Sequence, residues 1–157
     1  MEEKDVLIRD EEAEKLKKKS NIGREKACGC IIIENDKVLL IKQNNGVWGF
    51  PKGHVEGNET EFETAIREVK EETNIDVEIT NDKRYVVEYI TNKGAYKQVV
   101  FFRAKSLKNE IKPQEEEISE IKWADFDEAF DTINYENIKE LFKKVLEDVK
   151  LTAADNI

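Results

Sequence analysis

Three glutamates in the middle of the chain have a spacing that could hold a cation. Glu68, Glu71 and Glu72 stand at i, i+3 and i+4, so on a helix they share one face. Carboxylate oxygens without nearby Cys or His are the ligands that hard cations such as Mg²⁺ and Mn²⁺ prefer. The spacing alone leaves two interpretations open, which are a metal site and an acidic helix face exposed to solvent.

A loop and a helix must position these glutamates. Gly53 and Gly57 indicate the loop, and apolar residues recur at helical spacing after it. The predicted core-facing stripe consists of Phe62, Ala65, Ile66, Val69 and Thr73. Asn58 is the predicted N-cap, because Glu61 follows three residues later in the capping-box position.

The stretch from Gly53 to Ile75 resembles the Nudix box, the signature of the Nudix hydrolases. The matching residues are Gly53, Glu59, Arg67, Glu68, Val69, Glu71, Glu72 and Ile75. The family has Gly where this chain has Asn74. This position follows the helix and needs a left-handed backbone, which Asn adopts more readily than most residues. We therefore expect Asn74 to cap the helix.

The resemblance implies both a fold and a reaction. The fold class is α+β, a Nudix fold with a mixed β-sheet sandwiched between α-helices. The reaction is metal-dependent hydrolysis of a phosphoanhydride bond, with Mg²⁺ as the expected cofactor and Mn²⁺ as the alternative. The resemblance also implies that Glu68, Glu71 and Glu72 bind the metal, together with the backbone carbonyl of Lys52 or Gly53.

The resemblance assigns roles to further charged residues. Arg67 should pair with Glu59 and orient the loop against the helix. Among the box residues, Glu68 is favoured as the base toward the attacking water. Many members of the family use one more glutamate from outside the box. Glu117 is the predicted extra ligand and Glu116 the next choice, the alternative being a solvated loop.

The run from Phe50 to Gly57 indicates the class of substrate. With Trp48 shortly before it, this run resembles the same region of the asymmetrically cleaving diadenosine tetraphosphate hydrolases of the family. The resemblance predicts a dinucleoside polyphosphate as substrate, cleaved to ATP and AMP in the case of diadenosine tetraphosphate. Lys52 and His54 are donors suited to phosphate oxygens, and Lys97 matches a lysine that contacts phosphate in that group.

An aromatic side chain should stack on the base. Phe101 is the predicted residue, with Tyr96 and Tyr89 as rivals and with core packing as the alternative for Phe101. Other Nudix substrates stay open, namely a nucleoside triphosphate, capped RNA or a diphosphoinositol phosphate. A nucleotide-binding module without catalysis is also open, but such a module is expected to lose box carboxylates that this chain retains.

Composition narrows the class of protein. A length of 157 residues favours one domain, and a net charge of −9 argues against a binder of long nucleic acid. The charge does not exclude the small nucleotide substrate that the resemblance implies, because bound metals can offset local negative charge. No apolar run approaches a membrane span. Cys28 and Cys30 flank one Gly in an apolar run, which indicates strand residues and a cytoplasmic location. The sequence does not define the oligomeric state.

The order of elements predicts one Nudix domain with two short flanks. Residues 1–25 form a charged N-terminal extension, residues 26–150 the Nudix hydrolase domain and residues 151–157 a tail. Within the domain, hairpins are predicted around Asn35-Asp36 and around residues 92–94, and an amphipathic helix is predicted from residue 134 to about residue 150.

Overall fold

A computed structural model describes residues 5–17, 19, 21–107 and 110–155. Its strands are β1 (Val6–Arg9), β2 (Arg24–Glu34), β3 (Lys37–Gln43), β4 (Trp48–Gly49), β5 (Lys52–His54), β6 (Val77–Ile79), β7 (Tyr85–Ile90), β8 (Tyr96–Ser106) and β9 (Ile118–Asp125). Its helices are α1 (Glu11–Leu16), α2 (Glu61–Thr73), α3 (Phe126–Thr132) and α4 (Glu136–Asp155).

The sheet is mixed and is built around its two longest strands. β2 and β8 pair in parallel, β7 joins β8 antiparallel, and β1 joins the far side of β7 in parallel. On the other side, β3 turns back from β2 through a tight hairpin and pairs with β4 and β9. Asn35 and Asp36 have φ of 51° and 60° in that hairpin turn, the backbone that a two-residue turn needs. Both predicted hairpins are confirmed.

Helices cover both faces of the sheet, because alternate strand residues project to opposite sides. One core cluster joins the sheet to α3 and α4 and includes Ala27, Ile31, Val99, Phe101, Leu141 and Phe142. The other joins the sheet to α2 and includes Cys28, Cys30, Val100, Phe102, Ala65 and Val69. The predicted fold class, a mixed sheet sandwiched between helices, is confirmed.

The start of α2 lies later than predicted. Thr60, not Asn58, is the N-cap, and it forms a complete capping box with Glu63. The reason is that the Glu59 side chain accepts the Glu56 N–H at 2.9 Å, which keeps Glu59 in the loop. At the other end Asn74 has φ 66° and its N–H donates to the Lys70 carbonyl, so the predicted left-handed cap is confirmed.

The buried face of α2 is rotated from the predicted stripe. Val69 and Thr73 are buried, but Phe62 is 41% exposed and Ile66 38% exposed. Glu72 is only 4% exposed and takes part in the buried face. The helix therefore turns one of the three box glutamates toward the sheet.

The chain flanks continue regular structure. β1 pairs with β7 in the register Arg9↔Glu88, and α4 runs on to Asp155, five residues past position 150. Residues 1–4, 18 and 20 of the predicted extension and residues 156–157 of the predicted tail lie outside the described residues. The domain limits 26–150 stay a prediction. No helix in the described part of the chain has the length and apolarity that crossing a membrane requires.

Candidate active site

A close contact between β2 and β5 positions the loop of the Nudix box, which precedes α2. β5 pairs with β2 in the register Gly29↔Lys52, and a Cβ added at Gly29 would collide with the Pro51 carbonyl. The Cys30 N–H donates to that carbonyl at 3.2 Å. Gly29 thus lets the loop lie directly on β2. In the sequence, Gly29 is visible only as a single Gly within an apolar run. Cys28 and Cys30 beside it are buried and free.

Arg67 ties the loop to α2. Its Nε donates to Glu59 Oε2 at 2.6 Å and its Nη2 to Glu59 Oε1 at 2.9 Å, a bidentate pair. Nη2 also donates to the His54 carbonyl at 3.0 Å. The Arg67 hydrogen bonds and the Glu56 N–H hold the pKa of Glu59 down at about 2. The carboxylate is therefore charged at any working pH, and the clamp persists.

The remaining guanidinium nitrogen of Arg67 faces the predicted metal ligands. Nη1 donates to Glu68 Oε1 at 2.8 Å and to Glu71 Oε1 at 3.1 Å. Glu72 instead accepts the backbone N–H of Lys52 at 2.8 Å. Each of the three glutamates thus has a hydrogen-bond donor within the loop and helix.

Burial works against the charge on two of these glutamates. Burial raises the pKa of Glu72 to about 8, and the nearby charge of Glu68 adds to the rise while the Lys52 N–H opposes it. Burial also raises the pKa of Glu68, against the influence of Arg67. The fold therefore places two carboxyl groups where their charged form is poorly solvated, and a bound cation would favour that charged form.

Gly53 is in direct contact with this group. A Cβ added at Gly53 would overlap the carboxyl group of Glu68. The glycine of the Nudix box is therefore required by close approach, since no larger residue leaves room for the Glu68 carboxylate at its observed position.

The described residues contain no group of three or more His, Cys, Asp or Glu side chains already arranged around a metal position. Nη1 of Arg67 donates to both Glu68 and Glu71 in this arrangement. The donor chemistry nevertheless fits a hard divalent cation. The site offers carboxylate oxygens, and burial and mutual repulsion raise the pKa of two of them.

The loop before β9 brings Glu117 to the same place. The N–H groups of Lys112 and Gln114 donate to the Thr73 and Glu72 carbonyls at the end of α2, at 2.9 and 3.1 Å. Glu117 lines one cavity of about 550 Å³ together with all three box glutamates. Glu116 is not part of the cavity wall.

Asn44 holds this loop from the other side. Its backbone N–H donates to the Glu117 carbonyl at 2.9 Å, and its Nδ2 donates to the carbonyls of Glu116 at 2.8 Å and Glu115 at 3.3 Å. Asn44 lies in the turn after β3, and the sequence alone predicts only a turn at this position. Sequence reasoning missed its contacts because they join positions more than 70 residues apart.

A second cavity, of about 620 Å³, adjoins the acidic one. Its wall contains aromatic side chains, among them Trp48, Tyr89 and Tyr135, whereas the wall of the first cavity is acidic. The two cavities share Gln43, Lys52 and Lys97. Burial, and then the nearby charge of Lys97, lower the pKa of Lys52. Two lysines thus stand at the boundary between an acidic cavity and an aromatic one.

The structure places Phe101 at the wall of the aromatic cavity but within the core. This side chain is 1% exposed, and its ring packs edge-on against Phe50 with the centroids 5.7 Å apart. This burial favours the packing alternative over stacking on a base. Tyr96 is also buried, and its hydroxyl donates to Glu88. Tyr89, the other rival, does line the cavity, and Tyr135 was missed because it lies in the connection before α4.

The structure places His54 at the rim of the acidic cavity. Its side chain is exposed, and Nε2 lies 3.2 Å from Glu25 Oε1 on β2. Lys97 follows Tyr96 on β8 and lines both cavities. The predicted phosphate donors therefore surround the same region from two strands, β5 and β8.

These features define the class of protein. Residues 23–147 match the NUDIX domain family, and the chain belongs to this family. It is a Nudix hydrolase acting on phosphoanhydride bonds. It is similar to the asymmetrical bis(5'-nucleosyl)-tetraphosphatase of Rattus norvegicus, with 31% identity over 131 residues that cover 73% of this chain and 88% of the relative.

A further relative is named for a different substrate, and a solved structure is named for the same substrate class. The m7GpppN-mRNA hydrolase of Saccharomyces cerevisiae is 33% identical over 106 residues, which cover 66% of this chain and only 11% of that protein. Among solved structures, a binary complex of the Ap4A hydrolase of C. elegans superposes with a TM-score of 0.72 and 28% identity, covering 80% of this chain and 98% of that one. Nudix homologues bind small nucleotide substrates and generally need a divalent metal ion such as Mg²⁺.

Proposed function

We propose that this chain hydrolyses dinucleoside polyphosphates, consuming one water to convert diadenosine tetraphosphate to ATP and AMP. The observation that carries the proposal is the meeting of the two cavities at Lys52 and Lys97. A substrate that joins a polyphosphate to a nucleoside matches this layout, because its phosphates would lie on the acidic and lysine side and its base on the aromatic side. The names of the rat and nematode relatives support the same substrate class.

The acidic cavity would hold Mg²⁺, with Mn²⁺ as the alternative, through Glu68, Glu71, Glu72 and Glu117 and a backbone carbonyl of Lys52 or Gly53. Such a cation supplies charge neutralisation at phosphate oxygens and a lowered pKa for a water molecule. The chain's own residues perform the other tasks. Glu68 accepts the proton of the attacking water, since its carboxyl group lines the same cavity beside the backbone of Gly53.

Other side chains position the loop and the substrate. Arg67 and Glu59 hold the loop against α2, so the backbone of Gly53 stays in place beside Glu68. Lys52, Lys97 and His54 donate to the phosphate chain. Tyr89 and Tyr135 bind the base between β7 and the start of α4, since both line the aromatic cavity.

Tyr135→Ala should weaken substrate binding more than it slows the reaction. Tyr135 is an exposed side chain of the cavity wall, so its loss leaves the core intact. Base stacking on an aromatic is worth about 1–3 kcal/mol, which predicts a KM for diadenosine tetraphosphate roughly 5–150 times higher with little change in kcat. Steady-state kinetics check this, and Tyr135→Phe is the matched control that should keep the original KM. A lower kcat with unchanged KM would contradict the assignment.

Asn44→Ala should raise the Mg²⁺ concentration needed for activity. The substitution removes the two Nδ2 bonds that hold the loop of Glu117, and the residue is exposed, so stability should change little. We expect the half-saturating Mg²⁺ concentration to rise by about tenfold, and Mn²⁺ binding measured without substrate to weaken by the same factor. Asn81→Ala is the control, because it removes a side chain–backbone bond of a remote turn. Equal metal dependence in both variants would refute the role of Asn44.

A substrate panel tests the proposal as a whole. The protein is incubated with Mg²⁺ and diadenosine tetraphosphate, a nucleoside triphosphate, capped RNA or a diphosphoinositol phosphate, and the products are separated. We expect diadenosine tetraphosphate to have the highest kcat/KM and to give ATP and AMP in equal amounts. A higher kcat/KM for capped RNA, as the yeast relative's name would suggest, would replace our substrate assignment.

A further inference from the structure

The N-terminal segment forms part of the aromatic cavity, although it precedes the matched residues 23–147. β1 lies on the outer side of β7, and Asp10 follows β1 directly. Asp10 lines the aromatic cavity together with Tyr89 and Tyr135. A carboxylate that the family signature does not include therefore faces the proposed site of the base.

A desolvated ion pair fixes this segment on the sheet. Arg9 Nε donates to Glu88 Oε1 at 2.6 Å, and Arg9 Nη2 lies 2.5 Å from the same oxygen. Glu88 is only 2% exposed, and the Tyr96 hydroxyl and the Gln98 amide also donate to it. Breaking this pair would leave a buried charge, so the register of β1 is firmly held.

The carboxylate of Asp10 is itself oriented. The Asp10 N–H donates to the Glu88 carbonyl at 3.3 Å, and Oδ1 accepts the Ala13 N–H at 2.7 Å as the N-cap of α1. A carboxylate has about four acceptor sites, and this cap uses one of them. The group therefore keeps capacity to accept a hydrogen bond from a ligand.

Strand register sets three functional groups in a row. Arg9 pairs with Glu88, so Asp10 stands next to Tyr89, and Tyr89 pairs with Lys97 on β8. Neighbouring residues in register project to the same side of a sheet, and two strand spacings amount to about 10 Å. The row runs from a carboxylate past a tyrosine to an ammonium group, and a nucleotide has the same order of amino group, ring and phosphate.

We propose that Asp10 selects the base by accepting a hydrogen bond from the exocyclic amino group of a purine that lies against Tyr89. This inference rests on the proposed function only in taking the aromatic cavity as the site of the base. A purine that lacks the amino group leaves the carboxylate without this partner. Asp10 is thus a specificity-determining residue supplied from outside the family's matched region.

The test compares AMP with purine riboside 5'-monophosphate, which differs from AMP only by lacking the amino group. Isothermal titration with the full chain should show that AMP binds about tenfold more tightly. Asp10→Asn keeps the helix cap but loses the charged acceptor, and it should abolish this preference. Glu12→Gln is the matched control, because it removes the same charge from α1 at a residue that lines a separate cavity, and it should keep the preference.

Three results would overturn the inference. These are an Asp10→Asn variant that retains the preference for AMP, a Glu12→Gln control that loses it equally, and a wild-type protein that binds neither monophosphate. The last result leaves the hydrolysis panel as an independent test of the proposed function. Conversely, an AMP preference that depends on Asp10 would uphold this inference even if no dinucleoside polyphosphate were hydrolysed.

Discussion

Glu72→Gln should lower the turnover of diadenosine tetraphosphate by about three orders of magnitude and at the same time stabilise the metal-free protein. The loss of activity follows because a cation supplies several kcal/mol of charge stabilisation and about 1.4 kcal/mol corresponds to tenfold in rate. The amide keeps the shape and can still accept the Lys52 N–H. Steady-state kinetics with saturating Mg²⁺ measure the first effect.

The gain in stability follows from the pKa of Glu72. Its carboxyl has a pKa of about 8 in the fold, above the ordinary value of 4.5, so folding favours the protonated form. The wild-type protein therefore loses stability as the pH rises from about 4.5 to about 8, and the neutral glutamine removes this loss. We expect Tm in EDTA at pH 7.5 to rise by roughly 3–8 °C, and the gain to shrink toward pH 5.

Glu71→Gln provides the control for stability, since Glu71 is an exposed carboxylate of the same helix. It should give no comparable rise in Tm. An activity close to wild type in Glu72→Gln would show that the metal site is wrongly assigned. An unchanged Tm at pH 7.5 would show that burial of Glu72 carries no charge penalty.

Gly53→Ala should abolish most activity while leaving the fold intact. The new Cβ would overlap the Glu68 carboxyl, which is the flexible end of a long side chain and can swing aside at small cost. Such a displacement takes the proposed base from its place and breaks its bond to Arg67. A misplacement of about 1 Å can cost about 10²-fold in rate, so we expect a kcat at least that much lower.

The matched control for this substitution is Gly23→Ala. A Cβ at Gly23 would meet only the Ala95 Cβ at 3.6 Å, an ordinary contact, and neither residue lines the acidic cavity. We expect this variant to keep wild-type kcat and Tm. If Gly53→Ala lowered Tm sharply as well, the glycine would be needed for the packing of the loop and not specifically for the position of Glu68.

The box helix could be predicted because its signature is local. Glu59, Arg67 and the three glutamates lie within 14 residues, and the structure brings them together as the spacing implied. Even here the start of the helix was misplaced by two residues. Both Asn58 and Thr60 are good caps, and the choice depends on Glu59, whose bonds to the loop and to Arg67 no propensity describes.

The walls of the substrate site could not be predicted in the same way. Phe101 was chosen because it lies near Lys97 on β8, but helices cover both faces of this sheet, so central aromatic residues are buried on either side. The residues that line the aromatic cavity come from β3, β4, β5, β7 and β8, from the start of α4 and the segment before it, and from the turn after β1. Their proximity depends on the topology, which periodicity in a single sequence does not give.

The pairing of β1 with β7 also affects the order in which the sheet forms. Arg9 and Glu88 are 79 positions apart, so β1 can pair with β7 only after more than half of the chain has been made. Pairing over such a separation carries a high entropic cost and closes late during folding. Until it closes, β7 is an open edge that can template association with other chains. A chain shortened to the matched domain would keep that edge open permanently and would leave Glu88 buried without Arg9. The N-terminal segment therefore supplies the cation that this buried carboxylate of the matched region requires.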